Sequence, residues 1–336
     1  MVSSIASLLL LFATLVTTSN ASGYMVQSAM ENRQILFLHW GGDIDVVAPA
    51  TDCGLQHWWH VNNSPNTAAW NGPRYFGKSE GKFSGSVSLV NSAAGILDMV
   101  GCVGSELVHF TFEGGQWSIV SRFANDISGS PAMDEGMLNS GHRYDLVVPL
   151  STGGIGHYYY GPLEHPRWTG PSEFGKYLGN VDAVTLAKKN QDSPPHLEVI
   201  ARVGSILHHF QYDNTSWNYR GIIAAGVRGQ LSLIQSSSGS VGKLEFVSPL
   251  QDGGLGYWYL DDSSIFKIWH GPKRFGDPIL FDDVSLIQLT DTHDANMPRF
   301  PVVNVNLYTI ARSKSRTKTY SRRYNGAWVS WNAPVL

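Results

Sequence analysis

Trp70-Asn-Gly-Pro-Arg-Tyr-Phe-Gly77, Trp168-Thr-Gly-Pro-Ser-Glu-Phe-Gly175 and Trp269-His-Gly-Pro-Lys-Arg-Phe-Gly276 are three copies of one eight-residue phrase. Each keeps Trp, Gly-Pro, Phe and Gly at fixed offsets, and the copies start 98 and 101 residues apart. Self-similarity at a fixed period marks a repeat architecture, so the rest of the chain is read against that period.

Between the phrases, each hundred-residue unit divides into two related halves. The marker is His or Tyr followed by an aromatic: Gln56-His57-Trp58, Val108-His109-Phe110, Gly156-His157-Tyr158, His208-His209-Phe210 and Gly256-Tyr257-Trp258. The markers step by 52, 48, 52 and 48 residues, and a decayed sixth copy, Thr319-Tyr320, follows after 62, with an insertion around 292–300. Upstream runs a column of acids, Asp45, Asp98, Asp145, Glu198 and Glu245, each opening an apolar strand. Downstream runs a column of indoles, Trp70, Trp117, Trp168, Trp217, Trp269 and Trp328. A fourth strand is seen as Val87-Ser-Leu-Val90, Val184-Thr-Leu186, Leu231-Ser-Leu-Ile234 and Val284-Ser-Leu-Ile287.

Four short strands every fifty residues, separated by Gly, Asn, Asp and Ser, predict an all-β chain built as a β-propeller of four-stranded blades. Six markers predict six blades. The leftover Ile35–Trp40 stretch reads as an inserted hairpin or as a degenerate seventh blade, which is kept as the alternative. The last repeat lacks a Val-Ser-Leu-Ile strand after its Trp, so the N-terminal strand Tyr24–Ser28 is expected to complete it and close the ring without a free sheet edge.

Composition agrees with a β-rich body: of 336 residues, 12% are aromatic, 35 are Gly and 15% are charged. A formal charge of -3 gives no polycation for nucleic acid. Residues 1–22, with Leu8–Leu11 and the small-residue stretch Ser19-Asn20-Ala21, read as a secretory signal and leave 23–336 as one domain. No later stretch is long enough to span a bilayer. A secreted, extracellular protein makes the sequons at Asn62 and Asn214 candidate glycosylation sites. It also permits a disulfide between Cys53 and Cys102, the only two cysteines.

Catalytic readings find little support. The repeated acids occur once per blade at one offset, which a shared structural role explains better than a glycosidase pair. The marker histidines fall in one register, as buried hydrogen-bonded core residues would, and no metal-binding spacing accompanies them. There is no Gly-x-Ser-x-Gly elbow, no phosphate loop and no Ser-x-Asp-x-Gly-x-x-Trp box. No cofactor is called for.

What remains is aromatic surface interleaved with small polar groups. Strand alternation in Gly54-Leu-Gln-His-Trp-Trp-His60 puts Leu55, His57 and Trp59 on one face and Gln56, Trp58 and His60 on the other. Most of it is expected to pack between blades. Some rings would form shallow platforms for sugar C–H faces, with His, Asn, Asp and Arg bonding hydroxyls and weak sites adding up around the ring. A basic run, Arg312, Lys314, Arg316 and Lys318, reads as a strand face that is either a charged protective edge or a dock for acidic glycans.

The runs Gly54-Leu-Gln-His-Trp-Trp, Gly154-Ile-Gly-His-Tyr-Tyr and Gly254-Leu-Gly-Tyr-Trp-Tyr, each followed by Trp-x-Gly-Pro-x-x-Phe-Gly, resemble the repeats of the Photorhabdus-type β-propeller lectins. That resemblance implies binding of fucose or related methylated sugars between blades, without catalysis. The family is typically seven-bladed, and the sixth repeat here has lost its marker. The carbohydrate-site candidates are His57, Trp58, Trp70, His157, Tyr158, Trp168, Tyr257, Trp258 and Trp269. The partners expected are fucosylated glycans or glycoconjugates, with about three sites if the Gly-Pro blades carry them; self-association into a homo-oligomer stays open. The readings kept beside the lectin are a glycan-active hydrolase or lyase on the same fold and a protein-interaction scaffold.

Overall fold

The computed structural model describes residues 35–39, 43–50, 52–60, 70–93, 96–135, 143–161, 167–189, 195–236, 243–261, 267–291, 304–312, 317–323 and 326–331. The described residues form six four-stranded sheets, each an antiparallel meander of consecutive strands. The first comprises β1 (Ile35–His39), β2 (Asp43–Pro49), β3 (Leu55–His60) and β4 (Trp70–Phe76). The second comprises β5 (Phe83–Ala93), β6 (Ile96–Val103), β7 (Glu106–Glu113) and β8 (Gln116–Phe123). The third comprises β9 (Ala132–Glu135), β10 (Tyr144–Pro149), β11 (Ile155–Tyr160) and β12 (Trp168–Phe174). The fourth comprises β13 (Ala183–Lys189), β14 (His196–Val203), β15 (Ile206–Tyr212) and β16 (Trp217–Ala225). The fifth comprises β17 (Ser232–Ser236), β18 (Lys243–Pro249), β19 (Leu255–Asp261) and β20 (Ile268–Phe275). The sixth comprises β21 (Asp283–Asp291), β22 (Asn304–Arg312), β23 (Thr317–Arg323) and β24 (Val329–Trp331).

The four sequence columns therefore map onto the four strands, but the phase differs from expectation. The Val-Ser-Leu strand opens a blade instead of ending one. Val284-Ser-Leu-Ile287 is the first strand of the sixth sheet, paired with β22 from Asp283↔Arg312 to Asp291↔Asn304. The sixth sheet thus has four strands of its own, and Tyr24–Ser28, expected to complete it, lies outside the described residues. The leftover Ile35–His39 is the first strand of the first sheet, not an inserted hairpin or a seventh blade.

Turn chemistry sets the meander. β7 and β8 are joined by Gly114-Gly115, closed by the pair Glu113↔Gln116, with both glycines at positive φ (59° and 82°). A two-residue hairpin with both central residues at positive φ matches strand twist and favours Gly at each position. The Gly-Pro of each phrase lies inside the fourth strand. Opposite it the register skips a residue, at Tyr158 in the β11–β12 pair. Gly170 has φ 138°, and a Cβ there would stand 2.7 Å from the His157 carbonyl and 2.8 Å from the Tyr158 ring, so the ring fills the space a side chain would need.

The core lies between sheets. Among the described residues four apolar clusters each draw on two consecutive sheets, as with Val100, Leu107, Leu146, Val148 and Tyr158 at the second-to-third boundary. Neighbouring first strands are also hydrogen-bonded through side chains. Met133 N donates to Ser88 Oγ (2.8 Å), Lys188 N to Asp134 Oδ2 (2.7 Å) and Leu233 N to Thr185 Oγ1 (3.2 Å).

Candidate functional site: a cavity between the second and third sheets

The acid, His and Trp columns prove to be one device. In each of the first four sheets the marker His on the third strand meets the acid of the second strand. The Nε2 of His57 donates to Asp45 at 2.7 Å, that of His109 to Asp98 at 2.8 Å, that of His157 to Asp145 at 2.9 Å and that of His209 to Glu198 at 2.6 Å. The other ring nitrogen, Nδ1, accepts the indole N–H of the next sheet: Trp117 to His57 (3.2 Å), Trp168 to His109 (3.2 Å), Trp217 to His157 (3.4 Å) and Trp269 to His209 (3.2 Å). An imidazole that accepts at Nδ1 carries its proton on Nε2, so each ring is fixed in one tautomer between two sheets. In the fifth sheet Tyr257 stands at the marker and donates to Glu245 at 2.9 Å. A tyrosine offers no ring nitrogen, and Trp328 Nε1 is buried without a hydrogen-bond partner.

Alternation along the third strand sends the marker toward the next sheet and the following aromatic toward the previous one. Tyr158 consequently faces β8 and lines a cavity of about 350 Å³ with Phe123, Leu150, Trp168 and the Gly170-Pro171 bulge. Phe123 and Trp168 stack with centroids 4.5 Å apart and planes 5° from parallel, and Tyr158 meets Phe123 edge-on at 5.8 Å. Polar groups converge on the same space from Asn125, Asp126, Thr152 and Glu173, all exposed. The rim residues Ala124 and Asp126 have left-handed backbones (φ 61° and 62°), held by Ser151 N donating to Asp126 O at 2.7 Å. Such conformations cost free energy in non-glycine residues and concentrate at ligand-binding sites.

Burial, with the negative charges of Glu173 and Asp126 adding to it, pushes the Tyr158 hydroxyl up to about 12. It therefore stays a protonated donor beside two carboxylate acceptors. Glu173 Oε2 also pairs with Lys176 Nζ at 2.5 Å. An apolar wall with a few converging donors and acceptors suits a ligand having both a C–H face and hydroxyls.

The structure brings two of the sequence candidates, Tyr158 and Trp168, into this cavity. His57, His157 and Tyr257 face the opposite way, are 1%, 3% and 1% exposed, and are engaged with Asp45, Asp145 and Glu245. Trp258 is buried and stacked on Phe246 at 4.7 Å, while Trp269 is half-buried and bonded to His209. The side chains of Trp58 and Trp70, and the sequon at Asn62, lie outside the described residues. Cys53 and Cys102 are free thiols: Cys53 is exposed and Cys102 is buried with Sγ donating to Gly104 O at 3.3 Å, so the expected bridge is not formed. Asn214 sits at φ 72° in the β15–β16 turn with Nδ2 donating to Pro195 O at 3.4 Å. The basic run does not form one strand face: Arg312 ends β22, Lys318 lies in β23 and is paired with Asp277 at 2.9 Å, and 313–316 lie outside the described residues.

Phe123, Asn125, Asp126, Thr152 and Glu173 escaped the sequence reading. Glu173 alone left a signal, as one of the three variable positions of the phrase: its counterparts are Tyr75, opposite Gln56, and Arg274, opposite Gly256. At the fourth-to-fifth junction Arg274 is bound to Asp252 at 2.7 Å, so an ion pair occupies what is an acidic position here. Among the described residues no group of three His, Cys, Asp or Glu is placed to hold a metal ion. No helix among them is long and apolar enough to cross a membrane.

No protein-family model matches the chain, and no curated protein matches it. Solved structures do. The BP39L lectin from Burkholderia pseudomallei superposes with a TM-score of 0.64 at 16% identity, over 91% of this chain and 84% of that one. A mutant of AofleA from Arthrobotrys oligospora gives 0.64 at 12% identity, over 95% and 94%. The Aleuria aurantia lectin, described as fucose-specific, gives 0.59 at 12% identity, over 91% and 95%. A further structure of that lectin, described as a six-bladed β-propeller with a novel fucose recognition mode, gives 0.58 over the same shares. At such identities the likeness speaks to fold, and this chain of six four-stranded sheets shares the fold of these structures, one of them described as a six-bladed β-propeller.

Proposed function

We propose that this protein is a secreted carbohydrate-binding protein, a lectin, that takes a neutral deoxy or methylated sugar such as fucose in the cavity between its second and third sheets. One observation carries the reading: the Phe123–Trp168 stack and the Tyr158 edge form an apolar wall, while the Tyr158 hydroxyl, Asp126, Glu173, Asn125 and Thr152 supply hydrogen-bonding groups around it. The apolar side of a 6-deoxy sugar lies against such a wall, and its hydroxyls donate to the carboxylates. The Aleuria aurantia lectin, whose structures are described as a complex with a methyl fucoside and as showing a novel fucose recognition mode, supports the class of ligand. Residues 1–22 direct secretion, residues 23–336 form one six-bladed ring, and counterpart junctions make the protein multivalent toward clustered glycans.

A second reading has one observation behind it: Asp126 and Glu173 line the same cavity, and paired carboxylates are what glycoside hydrolysis requires. The test is a glycan array with the mature protein, run with and without free fucose and alongside a polysaccharide panel assayed for released product. Fucose-competable binding that Tyr158→Phe and Glu173→Gln weaken supports the lectin. Product release abolished by Asp126→Asn supports the hydrolase; a blank array from folded protein overturns the lectin, and no release from any polysaccharide overturns the hydrolase.

A further inference from the structure

The boundary between the fifth and sixth sheets departs from the others in charge. At the first three boundaries an aromatic of the next sheet packs edge-on against the marker: Phe112 on His57 (5.0 Å), Tyr160 on His109 (5.2 Å) and Tyr212 on His157 (5.2 Å). In the sixth sheet the same position holds Arg322, whose guanidinium carbon lies 4.5 Å from the Tyr257 ring centroid. Two residues along β19, the Tyr259 ring has the ammonium of Lys243 at 5.2 Å and that of Lys273 at 5.1 Å. The two tyrosine rings are near-parallel at 6.1 Å, and His270 stacks on Tyr259 at 5.1 Å.

Three full positive charges are thus gathered on two adjacent rings, and cation–π contact with tyrosine offsets only part of their mutual repulsion. Among the described residues the acids facing the cluster are few. Glu245 is buried and receives the Tyr257 hydroxyl, and burial raises its pKa despite the attraction of Arg322 and Lys243. Asp261 lies 3.8 Å from His270. Among the described residues no carboxylate pairs within 4.0 Å with Lys243, Lys273 or Arg322. The corresponding cation of the third sheet, Arg143, does have one, Asp98 at 3.5 Å, and the third sheet carries Ser172 where the fifth carries Lys273.

We infer that this boundary is a second ligand site, for a saccharide bearing an anionic substituent, a carboxylate or a sulfate ester. Lys273 is exposed and Lys243, Tyr259 and Arg322 are half-buried, so an anion entering from solvent meets all three cations beside aromatic surface. The cavity between the second and third sheets has the opposite character, since Asp126 and Glu173 would repel the same ligand. The saccharide part of this inference rests on the carbohydrate reading above; the anion part rests on Lys243, Lys273 and Arg322 alone.

The test is calorimetric titration of the mature protein with three probes: an oligogalacturonate, a sulfated oligosaccharide of similar length, and methyl fucoside as the neutral control. Binding of either acidic probe is expected, weakening as salt rises from about 50 to about 300 mM because screening shortens the reach of the lysines. Losing two charge-assisted contacts in Lys243→Gln/Lys273→Gln should cut acidic-probe affinity about tenfold or more and leave fucoside binding unchanged. Lys273→Gln alone, at an exposed position, should show the same selective loss to a smaller degree and keeps the test valid if the double variant misfolds. The inference is overturned if neither acidic probe binds, if the variants bind them as well as the parent does, or if they lose fucoside binding in equal proportion. Which acidic probe binds tells carboxylate from sulfate, and the fucoside arm reports separately on the other cavity.

Discussion

The indole nitrogen of Trp168 donates to Nδ1 of His109 at 3.2 Å across the boundary between two sheets, while Nε2 of the same imidazole donates to Asp98 at 2.8 Å. One side chain thereby couples a strand of its own sheet to the outermost strand of the next. The arrangement recurs at four successive boundaries, and each imidazole is closed off by an edge-on or tilted aromatic neighbour. Buried polar groups this completely satisfied hold sheets in one relative position, since any slip leaves a donor or acceptor stranded in the core.

The boundaries differ in what an indole is worth. Trp168→Phe keeps the ring but strands His109 Nδ1 in the core, and should cost about 1–3 kcal/mol of unfolding free energy. Trp328→Phe removes an N–H that already lacks a partner, so its cost should be clearly smaller. Denaturant unfolding of the two variants side by side checks this, and equal losses would contradict the assignment.

Two acids of one column should respond oppositely to pH. Burial raises the Glu198 carboxyl, but the hydrogen bonds from His196 (2.9 Å) and His209 (2.6 Å) outweigh it and hold the group at about 2, below its ordinary 4.5. A depressed carboxyl contributes stability above its unfolded pKa, and that contribution is lost as pH falls from about 4.5 toward about 2. Glu245 is raised instead, by burial, so its contribution is present in acid and is lost as pH climbs through its folded value. Glu198→Gln should flatten the acid limb of a stability–pH curve, whereas Glu245→Gln should flatten the opposite limb and raise neutral-pH stability relative to the parent.

Gly170→Ala should fail for a steric and a conformational reason together. The new Cβ meets the His157 carbonyl at 2.7 Å and the Tyr158 ring at 2.8 Å, at φ 138°. Strain of that kind costs about 1–3 kcal/mol, and relieving it moves Tyr158 out of the cavity wall. A fall in melting temperature accompanied by loss of sugar binding is expected; stability loss with intact binding would place the ligand elsewhere.

Within the cavity, Tyr158→Phe removes the donor and keeps the wall, so affinity should drop about three- to tenfold for one neutral hydrogen bond. Glu173→Gln exchanges a charged acceptor for a neutral one and should cost about tenfold or more. Binding through Tyr158 should persist into alkaline solution, because its hydroxyl holds its proton to about 12. Titration of free fucose against each variant reads all three effects.

Much of this was legible in the sequence, within a definite limit. Asp98, His109 and Trp168 stood out as members of three columns because periodicity is a property of one dimension. That they touch depends on strand register and on the packing of neighbouring sheets, neither of which a spacing encodes. The cyclic repeat also hid its own starting point: Ile35–His39 lacks the Val-Ser-Leu pattern of its counterparts, so the first sheet's inner strand looked surplus and the sixth sheet looked short of one. The cavity was half visible. Tyr158 and Trp168 belong to repeated phrases, whereas Asn125 and Asp126 lie in a linker between sheets whose path is set by left-handed backbones at Ala124 and Asp126 that no composition signals.

The alternation of sheet types carries a consequence for parity. Sheets with the Gly-Pro phrase are the first, third and fifth, and those without it are the second, fourth and sixth, so the unit that repeats is a pair. A circle tiled by alternating kinds closes on itself only with an even number of tiles. An odd number would set two like kinds beside each other at one seam, with two Gly-Pro strands or none. A ring built from this pair alone would hold four, six or eight sheets, and a seven-membered one would need two neighbours of the same kind.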